Sequence, residues 1–307
     1  MGSDAAASAN GRIVQSGERL GAVLVFGSAF FWSFGGAISR FLHIEDSWTV
    51  VFWRCLFAGL FLLVFMLFRD GLRGTAALFR GMGVPGIAVG LCFATGTTCF
   101  IVAIGHTTIA NVILLGACVP LFAALMVWLV YGERITPLTW AAIAAVMVGV
   151  AIMISGSFTG KLSPFGDALA LVTAVALATA TVITRRNPGV RMTPAVCFGC
   201  LAASVIAATQ ASGLAVSARE FGILFIFGTL NLGLGMALFA TGARLIPSAL
   251  AALLGTAETM LGPVWVAVIH GELPNPRAVI GGSLILVALF SYLIAEFRRQ
   301  QRAAAAA

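Results

Sequence analysis

The chain has 307 residues, 60% of them hydrophobic and 9% charged, with a mean hydropathy of +1.05. That is too little polar surface to cover a soluble domain of this length, so a soluble protein is excluded. The net charge of +7 is spread over short connections between apolar runs, which excludes the folded basic surface that nucleic acid requires.

In chain order, residues 1–18 form a polar cytoplasmic tail, with 1–15 expected to lack order. Apolar runs of about 20 residues have the length that crosses a bilayer as a helix. Runs of this kind occupy 20–41, 47–68, 83–105, 107–130, 136–155, 164–184, 193–214, 220–243, 247–269 and 276–297. The first run outlasts the apolar stretch of a signal peptide, and no basic segment with a cleavage box precedes it, so it reads as a retained helix. Connections of a few residues make neighbouring helices antiparallel and leave no room for a soluble domain. Residues 299–307 are a C-terminal tail that frays into alanine. The fold expected is an all-α integral membrane protein of ten transmembrane helices. Residues 19–157 form one five-helix repeat and 158–298 the second. The cysteines all fall inside the runs, and the CxxC of Cys197 and Cys200 lacks a second pair or a histidine cluster. They read as small packing residues, and no metal or cofactor is expected.

Ten spans put both termini on one side of the membrane. With a cytoplasmic N-terminus, thirteen Lys or Arg residues lie inside and three (Lys161, Arg219, Arg277) outside, with Arg40 and Arg54 near outer helix ends. This bias orients the chain, and its basic loops face anionic lipid of the inner leaflet.

The halves match each other. Leu114-Leu115-Gly116, Gly132-Glu133 and Pro137 recur as Leu253-Leu254-Gly255, Gly271-Glu272 and Pro276, each pair 139 residues apart. Gly21 and Arg40 recur as Gly166 and Arg185 at a spacing of 145. Five spans per half is an odd number, so the second copy lies inverted. Inverted repeats are the architecture of alternating-access carriers.

Phe31-Trp32-Ser33, Phe52-Trp53-Arg54, Gly132-Glu133-Arg134, Gly166-Asp167, the Glu258 segment and Gly271-Glu272 together resemble the EamA-type ten-helix members of the drug/metabolite transporter superfamily. Within it the chain is most similar to YddG-type exporters of aromatic and other neutral amino acids. The resemblance implies a transporter of the inner membrane. Many relatives follow the glutamate with proline; here Thr259 stands in that place, so a kink is expected at Gly262-Pro263 instead.

Counting 1.5 Å per residue from the helix ends places Trp32, Ser33, Thr95, Thr98, Asn231 and Glu258 near the midplane, where carriers bind substrate. These six are the candidate lining of a central cavity. Gly96, Gly116, Pro120, Gly235, Gly255 and Pro263 are candidate bending points of gates, with static close packing as the alternative. Arg54 is expected to snorkel or to pair with an acid as an outer latch. Glu133 and Glu272 read as helix-end residues. Glu258 interrupts an otherwise uncharged run, and an intramembrane carboxylate marks a functional site by default; a bond holding a broken ninth helix is the structural alternative.

No Lys/Arg cluster lies at mid-depth, which disfavours phosphorylated substrates. Aromatic, hydroxyl and amide groups with one carboxylate suit a small zwitterionic or neutral substrate, with membrane lipid and protons as the other partners and a monomer or weak homodimer as the assembly. The function expected is export of neutral or aromatic amino acids and related metabolites; a broad-specificity drug/metabolite exporter or facilitator is the alternative. The three histidines, with neither HExxH nor GxSxG, argue against an enzyme.

Overall fold

A computed structural model describes residues 2–132, 137–157, 164–187, 189–246, 248–271 and 273–306. Glu133, Arg134, Lys161 and Glu272 lie outside the described residues, as does the 157/158 repeat boundary on its C-terminal side. Among the described residues the chain is helical, with no strand. The first half comprises α1 (Gly2–Ser33), α2 (Gly35–Ser39), α3 (Ser47–Gly81), α4 (Gly83–His106), α5 (Ile109–Gly116), α6 (Val119–Tyr131) and α7 (Pro137–Ser157). The second comprises α8 (Pro164–Arg186), α9 (Met192–Gln210), α10 (Ala218–Ile226), a π-helical segment (Phe227–Leu234), α11 (Gly235–Gly242), α12 (Ser248–Gly255), α13 (Ala257–His270) and α14 (Pro276–Ala306). Seven helical elements are long and apolar enough to span a membrane, and an eighth if the bent pair α5–α6 is one span. Large apolar side chains such as Phe68, Val84, Val268 and Ile280 point outward, as they do when the solvent is lipid rather than water.

Several boundaries differ from expectation. The N-terminal tail belongs to α1 and the alanine end to α14. Alanine is the best helix former, and a helix already nucleated in a span propagates into flanking residues at little cost. The second element does not stop at residue 68: α3 continues to Gly81 through a kink at Gly71, whose φ of 70° suits a residue without a Cβ. The 107–130 run is two helices meeting at 41°.

The ninth element breaks at Thr256, not at Gly262-Pro263. Pro263 sits inside the continuous helix α13. The break is instead the repeat-mate of Ala117 between α5 and α6, 139 residues earlier. In α6 the imino nitrogen of Pro120 has no proton to give the carbonyl of Gly116. At the equivalent Thr259 the N–H turns to the Thr256 carbonyl, 3.0 Å away, so the Gly255 carbonyl is bypassed without a proline. Gly132 and Gly271 close the two mates with left-handed caps (φ 65° and 68°).

Packing follows the same exchange of halves. Helix α4 packs on α8 as α11 packs on α1, α4 on α9 as the π segment packs on α3, and α6 on α8 as α12 and α13 pack on α1. Helices α3 with α9, and α7 with α14, are mates packed on each other. Gly166 seats against His106 and Thr107, and its mate Gly21 against Leu245 and Ile246. Gly96 lies against Leu177, and its mate Gly235 against Trp32. The spacings of 139 and 145 read from sequence are therefore physical equivalences.

At one end, Asp46 caps α3 and ties it to the α9–α10 connection. Its carboxylate accepts from Trp48 N–H at 2.9 Å, Thr49 hydroxyl at 2.9 Å, and Ser212 N–H and hydroxyl at 2.9 and 3.1 Å. Partial burial pushes its pKa up, but the bonds from Ser212, Trp48 and Thr49 outweigh that and hold it below the usual value. A depressed folded-state pKa contributes stability above the unfolded value near ~3.9 and loses it as pH falls through the folded value. Asp46→Ala is expected to cost about 1 kcal/mol near neutral pH, with the deficit shrinking as pH falls through the lowered folded-state value. Thermal unfolding against pH checks this; a deficit independent of pH contradicts it.

Candidate functional site

The first helix breaks between α1 and α2 at Phe34, freeing backbone carbonyls inside the bundle. Asn231, from the π segment, is 2% exposed and donates to Phe31 O at 2.7 Å and Trp32 O at 3.2 Å. A π segment opens a helix locally and re-aims its side chains; here it delivers an amide to an unpaired turn. Both amide hydrogens are thereby used in joining helices. Ser33 is also engaged: its hydroxyl donates to Phe30 O at 2.6 Å and accepts from the Trp265 indole at 2.9 Å, while Trp265 stacks on Phe34 at 4.7 Å.

Trp32 lies 5.5 Å from Phe239, and its indole nitrogen is buried with no hydrogen-bond partner. It faces the Cα of Gly235 so closely that an added Cβ would collide with the ring. Gly235 therefore serves close packing. Gly116 and Gly255 behave otherwise, since a Cβ there meets nothing within 4 Å; both end the short helix before a break. A Cβ added at Gly96 would make only ordinary contact with Leu177, at 3.4 Å, and its helix α4 runs without a break. Pro120 sits in the first turn of α6 after its break. Gly235→Ala is expected to destabilise by about 1–3 kcal/mol through overpacking. Gly116→Ala and Gly255→Ala are expected to change stability by less than about 1 kcal/mol. Melting curves that rank the three equally contradict this.

The threonines sort by helical angle. Thr95 is exposed on the outer face of α4 and does not join the site, because 200° of helix separates it from the inward Thr97. Thr98 is half-buried. Thr97, 7% exposed, accepts a hydrogen bond from Arg54 Nη1 at 2.8 Å. Arg54 does not snorkel to the outer surface: it is 5% exposed, with its guanidinium 4.4 Å from the Phe227 ring centroid and 5.7 Å from that of Phe100. Phe227 opens the π segment, so the unusual helix also supplies the aromatic face that receives the cation.

Glu258 is half-buried in the first turn of α13. A helix N-terminus favours a negative charge, so the broken ninth helix accommodates the carboxylate. No hydrogen bond joins that carboxylate to a described residue; Arg54 is the charged group within electrostatic reach. The Trp32 indole N–H, the Arg54 Nε–H and the Glu258 carboxylate thus remain unspent, as do the buried hydroxyls of Thr75 and Ser204 elsewhere among the described residues.

The repeat shows that folding alone does not require them. Trp32, Ser33, Asn231 and Glu258 have as mates Leu177, Ala178, Cys92 and Val119, and the turns of α9 that match Arg54 hold Ala195 and Gly199. The same junction is built twice, and only one copy carries hydrogen-bonding and charged groups at these positions. A second polar cluster, missed in the sequence, lies at the start of α8. There Asp167, fully buried, accepts from Thr107 hydroxyl at 2.7 Å and Asn111 amide at 3.1 Å. Its mates Ala22, Ile246 and Leu250 are apolar, with Ile246 and Leu250 packed in one hydrophobic cluster.

Two homologous helical halves packed around a one-sided set of buried polar groups define a polytopic membrane transporter. Residues 19–155 and 164–294 both match the EamA-like transporter family, and the chain belongs to it. It is 28% identical over 244 residues to a pseudopaline exporter, CntI, of Pseudomonas aeruginosa, covering 78% of this chain and 83% of that one. The same exporter from a second strain is 27% identical over the same length. A solved crystal structure matches 88% of this chain and 96% of its own with a TM-score of 0.64; at 19% identity that likeness is one of fold.

Proposed function

We propose that the chain exports small zwitterionic metabolites with apolar or aromatic side chains, neutral and aromatic amino acids among them, across the bacterial inner membrane by alternating access. In this reading each broken pair counts as one element, ten elements cross the bilayer, both termini are cytoplasmic, and the halves lie inverted. Inversion makes the two halves exchange conformations when the carrier turns from inward-open to outward-open. The chain works within lipid as a monomer or weak homodimer.

The observation that carries the reading is the one-sided polar set. Glu258 suits an ammonium group, and the Trp32, Phe239 and Trp265 rings suit an apolar side chain. Among the described residues Arg54 is the one buried Lys or Arg, and without the cluster a phosphate needs it disfavours sugar phosphates. Kinship with exporters of pseudopaline supports outward transport. Inside-out membrane vesicles containing the protein are expected to accumulate labelled phenylalanine in preference to glucose 6-phosphate. Equal accumulation of both, or of neither above empty vesicles, contradicts the reading.

A further inference from the structure

A guanidinium carries five N–H donors in a planar fork. In Arg54 the described hydrogen bond is that from Nη1 to Thr97, and Nε–H is buried with no partner. Burying a cation in this state is costly, and proteins usually avoid it by pairing or bonding each donor. Packing does not explain the residue, since the matching turns of the mate helix α9 hold Ala195 and Gly199. The edge formed by Nε and the second terminal nitrogen is the one that grips a carboxylate with two parallel bonds. Phe227 and Phe100 cover the guanidinium and keep its direction fixed.

Space for a ligand lies one helical turn away. A cavity of about 220 Å³ is lined by Ser39, Arg40, Ser47, Val50 and Ile101, among others. Val50 stands one helical turn before Arg54 on α3, and Ile101 one turn after Thr97 on α4. These two lining residues therefore lie about 6 Å along their helices from the Arg54–Thr97 pair, which does not itself line the cavity.

We infer that Arg54 is the subsite for the carboxylate of the transported zwitterion, with Thr97 fixing its orientation and Glu258 holding the ammonium end. The assignment rests on the exporter reading above and adds the group that reads the acid. Arg54 is thus a substrate-binding residue that tells an amino acid from its amide or amine.

The test uses purified full-length protein with phenylalanine, phenylalaninamide (no carboxylate) and N-acetylphenylalanine (no ammonium). Binding is read by ligand-induced thermal stabilisation and transport by counterflow in liposomes. Wild type is expected to prefer phenylalanine to its amide. Arg54→Gln is expected to weaken binding of both carboxylates about tenfold or more while shifting the amide less than about twofold. Arg54→Lys, which keeps the charge without the fork, is expected to retain part of the preference; it carries the readout if Arg54→Gln does not fold. Equal binding of acid and amide by wild type, or equal losses for both in the variants, overturns the subsite and leaves the exporter reading standing. Arg54-dependent binding of N-acetylphenylalanine without transport of phenylalanine keeps the subsite and removes amino-acid export. If no carboxylate binds, both fall.

Discussion

Glu258→Gln is expected to raise the half-saturating concentration for phenylalanine about tenfold or more, the loss that follows from removing one charge of a two-point zwitterion site. Glutamine keeps the size of the side chain and its place in the first turn of α13, so folding should be preserved. The effect is selective by chemistry. N-acetylphenylalanine, which presents no ammonium, should be affected less than about twofold. The variant should also respond to an imposed pH gradient as wild type does. A Glu258→Gln protein with unchanged affinity that has lost uphill, pH-driven transport would make the carboxylate a proton carrier instead.

The second large effect is on stability. Asp167→Ala removes the carboxylate that accepts from the buried Thr107 hydroxyl and Asn111 amide, leaving between them only the long Asn111–Thr107 bond of 3.4 Å. Each abandoned donor costs about 1–3 kcal/mol, so a loss of several kcal/mol is expected by thermal or denaturant unfolding. The repeat supplies the remedy. Copying the mate site with Asp167→Ala, Thr107→Ile and Asn111→Leu replaces all three groups by the residue types at positions 22, 246 and 250. Replacing a polar group together with its described partners by apolar groups that suit the shape costs less than removing one of them alone. The triple variant is expected to recover most of the lost stability. A triple variant less stable than Asp167→Ala shows that the two junctions are not equivalent.

Much of this fold is legible in the sequence because membrane solvation leaves few choices. Apolar runs must be helices, and the spacing of 139 between Gly132 and Gly271 pairs two left-handed caps. The breaks at Ala117 and Thr256 are harder to read. Proline marks only the first, and the second follows from a carbonyl bypassed by the Thr259 N–H. Pro263 is a misleading signal because α13 continues through it, as membrane helices can where neighbouring groups make up for the lost bond. Depth estimates place Asn231 and Glu258 at the site but say nothing of rotation, which is why Thr95 points outward and Thr97 inward. Arg54 near a helix end reads as a residue that snorkels; only the rings of Phe227 and Phe100 show where it turns. The Asp167 cluster joins residues 56 and 60 positions apart. Setting the two halves side by side would have revealed it, since aspartate, threonine and asparagine stand against alanine, isoleucine and leucine.

The central claim is a carrier that binds a zwitterion at one-sided polar groups between exchanging halves. Counterflow measures it most directly: purified protein in liposomes loaded with unlabelled phenylalanine, given a trace of labelled phenylalanine outside. Alternating access predicts saturable uptake accelerated by the internal pool, because a carrier returns faster loaded than empty, and little uptake when the pool is glucose 6-phosphate. Uptake that rises linearly with concentration and ignores the internal pool would contradict the account.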